Sequence, residues 1–246
     1  MTCTAGHCSS FGLQLEEIKV FYSQSAQHQH YSRTRRFKFV NRLLFSNKKD
    51  YFVIVIDFNF ENNITPARGT LLVSEPFMHD KYFARSVVYL CDHNDTGSFG
   101  FVLNNYLETN LTEMINDFPD VDIRVSIGGP VDTSNLFFIH SLGEEIDGSA
   151  LINDGIYIGG NFERVKELIT DNPKKAEHFR FFVGYSGWEK EQLKDEMDEK
   201  SLVVVNKVPR SFILNDEKDD LWNEILENMG GKFKVMSTFP KNPADN

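Results

Sequence analysis

The sequence predicts an α+β fold built on a mixed sheet, and three observations carry that expectation. From Gly69 onward, short β-rich runs punctuated by Gly, Asn and Asp alternate with helical patterns. The two kinds of segment are interspersed without the regular strand–helix–strand rhythm of a doubly wound domain. A chain of 246 residues with 41% hydrophobic content is also long enough to bury a sizeable core.

In chain order, "GTLLVSE" (69–75), "SVVYLCDH" (86–93) and "FGFVLN" (99–104) read as strands. "NDTG" (94–97) supplies the turn between the last two, which predicts a hairpin. "LTEMINDF" (111–118) places apolar residues at 111, 114, 115 and 118, one helical face, and Pro119 ends it. "LFFIHS" (136–141), "FRFFVGYSG" (179–187) and "SLVVVN" (201–206) are strands. "FERVKELIT" (162–170), the charged "GWEKEQLKDEMDEK" (187–200) and "DLWNEILENMG" (220–230) are helices, the last closed by Gly230. Residues 1–60 keep neither period and include the stretch "QSAQHQHYSRTRR"; they read as an atypical N-terminal extension to a single domain over 63–246.

Charge is uneven. The first 62 residues carry 8 Lys/Arg against 5 Asp/Glu, and the remainder 18 against 31, a net −13. Affinity for nucleic acid comes mainly from a clustered cationic surface, so direct DNA binding is disfavoured. The most apolar run, "YFVIVIDFNF" (51–60), is about half the length of a membrane-spanning helix and contains Asp57. With only Cys3, Cys8 and Cys91, a disulfide framework is not expected, which points to a reducing, cytoplasmic setting.

Several short motifs carry chemistry on paper. "GYSGW" (184–188) has the composition of a nucleophile elbow, but its second glycine comes one place too early. Ser186 is therefore read as the cap of the following helix, with nucleophilic catalysis as the alternative. "DHNDTGSFGFVL" (92–103) starts like a calcium loop and ends at Leu103, where a carboxylate is required. Cys91 and His93 are read as a half-buried pair rather than metal ligands. "IGGPV" (127–131) is a tight turn, or else a small backbone nest for an anion. Asp80 and Arg85 are expected to pair and fix their loop; Arg85 could instead hold a carboxylate or phosphate.

The segment "GTLLVSEPFMHDKYFARSVVYLCDHNDTGSFGFVLN", with "GGPV" (128–131), "LFFIH" (136–140) and "GYSGWEKEQLKDE" (184–196), resembles the AlgH/YqgE family. The resemblance runs from residue 65 to about residue 200. It implies a compact bacterial protein with a partly barrel-like mixed sheet ringed by helices. It also brings a transcriptional-regulator label that rests on genetic association rather than on a DNA-binding element. Two departures stand out: Asn105 and Tyr106 follow Asn104 where the family has a basic residue and proline, and Ser201 stands where a tryptophan is common. Family members begin only a few residues before the "PARG" segment (66–69), so translation is expected to start near Val53 or Val55.

Together these readings predict a binding or regulatory protein that takes a small molecule or a protein partner. Arg85, His140, Tyr185, Ser186 and Trp188 are the expected lining, with Gly128 and Gly129 at the rim. No metal, cofactor or catalytic set is expected. The alternative is a hydrolase-like enzyme using Ser186 or Cys91 with His140 as base.

Overall fold

The computed structural model describes residues 13–14, 59–215 and 220–241. The extension expected over 1–60, with its alternative start at Val53 or Val55, lies outside them except for residues 13–14 and 59–60.

Among the described residues, eleven strands form one sheet. They are Leu13–Gln14 (β1), Leu71–Ser74 (β2), Val87–Asn94 (β3), Gly97–Val102 (β4), Tyr106–Asn110 (β5) and Arg124–Ile127 (β6). Val131–His140 (β7), Ala150–Asn153 (β8), Ile156–Ile158 (β9), Phe179–Glu189 (β10) and Leu202–Val205 (β11) complete it. The main path runs β11-β2-β3-β4-β10-β7-β9-β8, with β6 on β10, β5 on β6 and β1 on β7. Every pairing is antiparallel except β6 with β10. The α+β mixed sheet is as the sequence predicts. It is open rather than closed into a barrel, since β11 and β8 end the path. At the β11 edge the Asn62 amide donates to Val204 O at 2.6 Å and accepts from Val204 N at 3.4 Å, which occupies edge groups that would otherwise template another strand.

The long strand β10 organises the rest. Its first part lies between β7 and β6, with Phe181 opposite both Phe138 and Val125. Beyond Gly184 the register with β7 shifts, and Ser186–Glu189 pair with β4 instead. One strand therefore belongs to both halves of the sheet. Its residues from 179 to 188 are all buried, so no polar alternation marks either face.

Helices cover both faces. Arg210–Leu214 (α4), Leu221–Met229 (α5) and Gly231–Ser237 (α6) contribute Ile213, Trp222, Ile225 and Phe233 to a cluster containing Phe101, Phe137, Phe182 and Tyr185. Phe162–Asp171 (α2) and the short Leu111–Met114 (α1) pack Val165, Ile169 and Leu111 onto Phe138, Phe181 and Val183. Gln192–Asp198 (α3) packs Leu193 with Trp188, Phe83 and Val88. Apolar burial of this extent is the main stabilising term.

The hairpin is present, with Asn94 paired to Gly97 and the Asn94 side chain accepting from Thr96 N at 2.8 Å. α1 is shorter than its pattern, because Ile115 is already extended and Asp117 has φ +59°. The helix expected over 187–200 is corrected at its start: residues 187–189 belong to β10, and α3 begins at Gln192 after Glu191 at φ +66°. No helix among the described residues is long and apolar enough to cross a membrane.

Candidate functional site

The residues expected to line one cleft are separated by the sheet. Tyr185 is 5% exposed and sits edge-on to Phe99 and Phe137 in the cluster under α5. Trp188 lies in the cluster under α3, where its Nε1 donates to Glu196 at 3.0 Å. His140 is fully buried and stacks on Tyr157. Arg85 reaches the C-terminal segment, donating to Phe239 O and Pro240 O at 2.6 Å each, with its guanidinium 4.7 Å from the Trp222 ring. The expected ion pair is not formed, because Asp80 accepts from the backbone N–H groups of Tyr82 and Phe83.

Ser186 is not a helix cap. It lies inside β10, is 0% exposed, and donates its hydroxyl to Gly128 O at 2.9 Å. Gly128 and Gly129 are buried beneath it. A Cβ at Gly129 would lie 2.3 Å from the Tyr185 carbonyl, and one at Gly128 would lie 2.3 Å from Gly184 O. The two glycine motifs are thus a backbone crossing inside the fold, not a rim. Cys91 is 1% exposed beside Tyr89 in the cluster under α5, and His93 lies near the end of β3 with Nδ1 2.7 Å from Ser98 Oγ. The Ser186 or Cys91 pairing with His140 is corrected accordingly. Both His140 ring nitrogens are taken: Nε2 donates to Gly159 O at 3.2 Å, and Nδ1 accepts from Leu142 N at 3.3 Å.

That arrangement holds His140 neutral. Burial lowers its pKa from 6.5 to about 4, against a smaller opposing effect of the Gly159 carbonyl. The unfolded chain therefore binds a proton that the fold refuses, and stability falls as pH drops from about 6.5 toward 4. The expected contribution is about 3 kcal/mol. Urea titrations at pH 7 and pH 4 check it, with His140→Gln expected to remove that part of the slope.

A cleft of about 740 Å³ opens elsewhere, at the end of the β7–β10 pair. Its walls are residues 121–123 ahead of β6, Ser141 after β7, the 3-10 turn Pro173–His178, Phe179, and α4 with Asn215. The turn forms because the Asn172 side chain accepts from Lys174 N at 3.2 Å and Pro173 takes the first helical position. It sets His178 across from Ser141: Ser141 N donates to His178 O at 3.1 Å, and Ser141 Oγ lies 2.8 Å from His178 Nδ1. The Glu145 carboxylate is held low by Lys175, which it meets at 2.5 Å, and also feels His178. Asp122 accepts from the Asn110 amide at 2.8 Å. Buried Ile123, Phe179 and Leu214 give the cleft an apolar floor beneath Ser141, His178, Arg210 and Asn215.

None of these polar residues stands out in the sequence. Ser141 and His178 follow and precede apolar runs, and only the Phe179–His140 register brings them together. Pro209 ahead of an apolar triplet was the one local sign of α4. A second concavity of about 590 Å³ lies between residues 63–66, the hairpin and α3, rimmed by Glu189, Glu191, Lys190 and Lys194.

Residues 71–234 match a family described as AlgH-like. A UPF0301 protein of Bacteroides fragilis is 42% identical over 187 residues, covering 75% of this chain and 94% of its own length. One from Cytophaga hutchinsonii is 37% identical over 178 residues, covering 72% and 97%. A crystal structure from Corynebacterium diphtheriae shares the fold at TM-score 0.62 and 24% identity, covering 74% of this chain and 97% of that one. The solution structure of AlgH from Pseudomonas aeruginosa shares it at TM-score 0.55 and 20% identity, covering 73% and 98%. With the family model matched over residues 71–234 and relatives of up to 42% identity matched over nearly their whole length, the chain belongs to the AlgH-like family.

Proposed function

We propose that the protein is a cytoplasmic binding protein, acting as one unit over residues 63–246. In this reading it influences transcription indirectly, through a small-molecule or protein partner held in the cleft between Ser141 and α4. What supports the reading is the convergence of Ser141, His178, and Arg210 with Asn215, drawn from three separate stretches of chain, on one apolar-floored cleft. The net −13 over residues 63–246 disfavours a direct grip on DNA. A chain with only three cysteines suits a reducing compartment.

An amide-resolved NMR titration of the full chain against a panel of central metabolites tests the assignment. Shifts centred on Ala176, Leu214 and Asn215, abolished in His178→Ala, are the expected result. Shifts centred on Arg85 and Trp188 would return the site to the lining read from sequence and remove the cleft. One observation favours a second reading, acyl transfer: the 2.8 Å contact between Ser141 Oγ and His178 Nδ1, with Glu145 electrostatically coupled to the imidazole. A fluorophosphonate probe on the same samples decides it, since that chemistry requires labelling of Ser141 that disappears in His178→Ala.

A further inference from the structure

We infer that the cleft accepts an amphipathic monocarboxylate, an acyl or aryl chain ending in a single carboxylate that Arg210 receives; this rests on the cleft being the binding site. Arg210 lines the cleft, and its guanidinium has no hydrogen-bond or ion-pair partner among the described residues. Arg210 is an exposed side chain at the start of α4. Arg210 lies against Gly155 in the turn between β8 and β9, where a Cβ would come 2.5 Å from Nη2 and 3.2 Å from Cζ. The glycine therefore makes room for the flat fork of the guanidinium, the shape that matches a carboxylate with two parallel hydrogen bonds.

The rest of the lining narrows the class. Ile123, Phe179 and Leu214 are buried and offer apolar surface to a hydrocarbon body. A volume of about 740 Å³ suits a ligand of small-molecule size. Asp122 and Glu177 line the same cleft, so it holds one full cation against two carboxylates. A phosphate dianion would meet more repulsion there than a single carboxylate, and an uncharged chain would gain nothing from Arg210.

Calorimetry and amide-resolved NMR on the full chain, with hexanoate, octanoate, decanoate, octanol and inorganic phosphate, test the inference. Each added methylene is expected to tighten alkanoate binding about threefold to fourfold. Octanol and phosphate should bind at least about tenfold more weakly than octanoate. Arg210→Gln should cost octanoate about tenfold or more while leaving octanol unchanged, and Arg210→Lys should recover only part of it. Octanol or phosphate binding as tightly as octanoate, or an unaltered Arg210→Gln, would overturn the assignment. If alkanoates fail but another metabolite moves the Leu214 and Asn215 amides, only the carboxylate assignment falls. If nothing moves them, the cleft falls with it.

Discussion

Gly129→Ala should destabilise the protein by about 4 kcal/mol or more, read as a fall in the urea midpoint. The reason is distance. A Cβ at Gly129 would sit 2.3 Å from Tyr185 C and O and 2.4 Å from Ser186 Oγ. On the other side of the crossing, Gly184 has φ +68°, and a Cβ there would lie 2.7 Å from Gly129 O and 2.8 Å from Val131 O. Backbone meets backbone, so no flexible side chain can yield. The crossing also carries ladder bonds: Gly128 N donates to Val183 O and Val102 N donates to Gly128 O, each at 2.9 Å. Separating the chains to admit a methyl group would break these and release Ser186 Oγ from Gly128 O. Gly231 is the control, since it has φ +51° but nothing within 4 Å of an added Cβ. Gly231→Ala should cost only about 1 kcal/mol. A Gly129→Ala variant as mild as Gly231→Ala would refute the close-packing account.

This crossing also explains what the sequence could and could not disclose. The hairpin at 94–97, α2 and the α5 stop at Gly230 were legible because each follows from chemistry within a few residues. "GYSG" misled because glycines in a strand look like its end. Here Gly184 is the point at which the register with β7 shifts, and from Ser186 onward β10 pairs with β4. Tyr185 and Trp188, three residues apart on the same strand, point to opposite faces and fall into different clusters. Arg85 sits at φ +50° beside a strand entry, yet its target is Phe239 and Pro240 more than 150 residues away. The strands β5, β6, β8 and β9 escaped notice because they are short, and the first three are only partly apolar. The cleft was invisible for a related reason: Ser141 and His178 become neighbours through strand register 37 residues apart, which no local pattern encodes.

Arg180→Leu is the other substitution expected to be severe, at about 3 to 5 kcal/mol. Arg180 is 1% exposed at the start of β10. Its Nη1 donates to Ile213 O and Asn215 O, both at 2.8 Å, and its Nη2 donates to Leu103 O and to Tyr106 Oη. One side chain thus ties α4, the end of β4 and β5 to the central strand. Leucine fills comparable space but leaves buried carbonyls without a donor, and Arg180→Lys should recover little because an ammonium cannot span the same acceptors. The departure at Tyr106 from the family pattern acquires a role here. Where proline would offer no polar side chain, the tyrosine hydroxyl accepts from Arg180 at 2.8 Å, and its ring faces the Arg124 guanidinium at 3.6 Å. Tyr106→Phe should therefore cost about 1 kcal/mol, well below Arg180→Leu. The clamp also reaches the cleft, because the segment it holds includes Leu214 and Asn215. Arg180→Leu should accordingly weaken ligand-induced shifts at these two residues even where the variant remains folded. A variant that kept both wild-type stability and a full response at Asn215 would show that α4 is held in place by its apolar contacts alone.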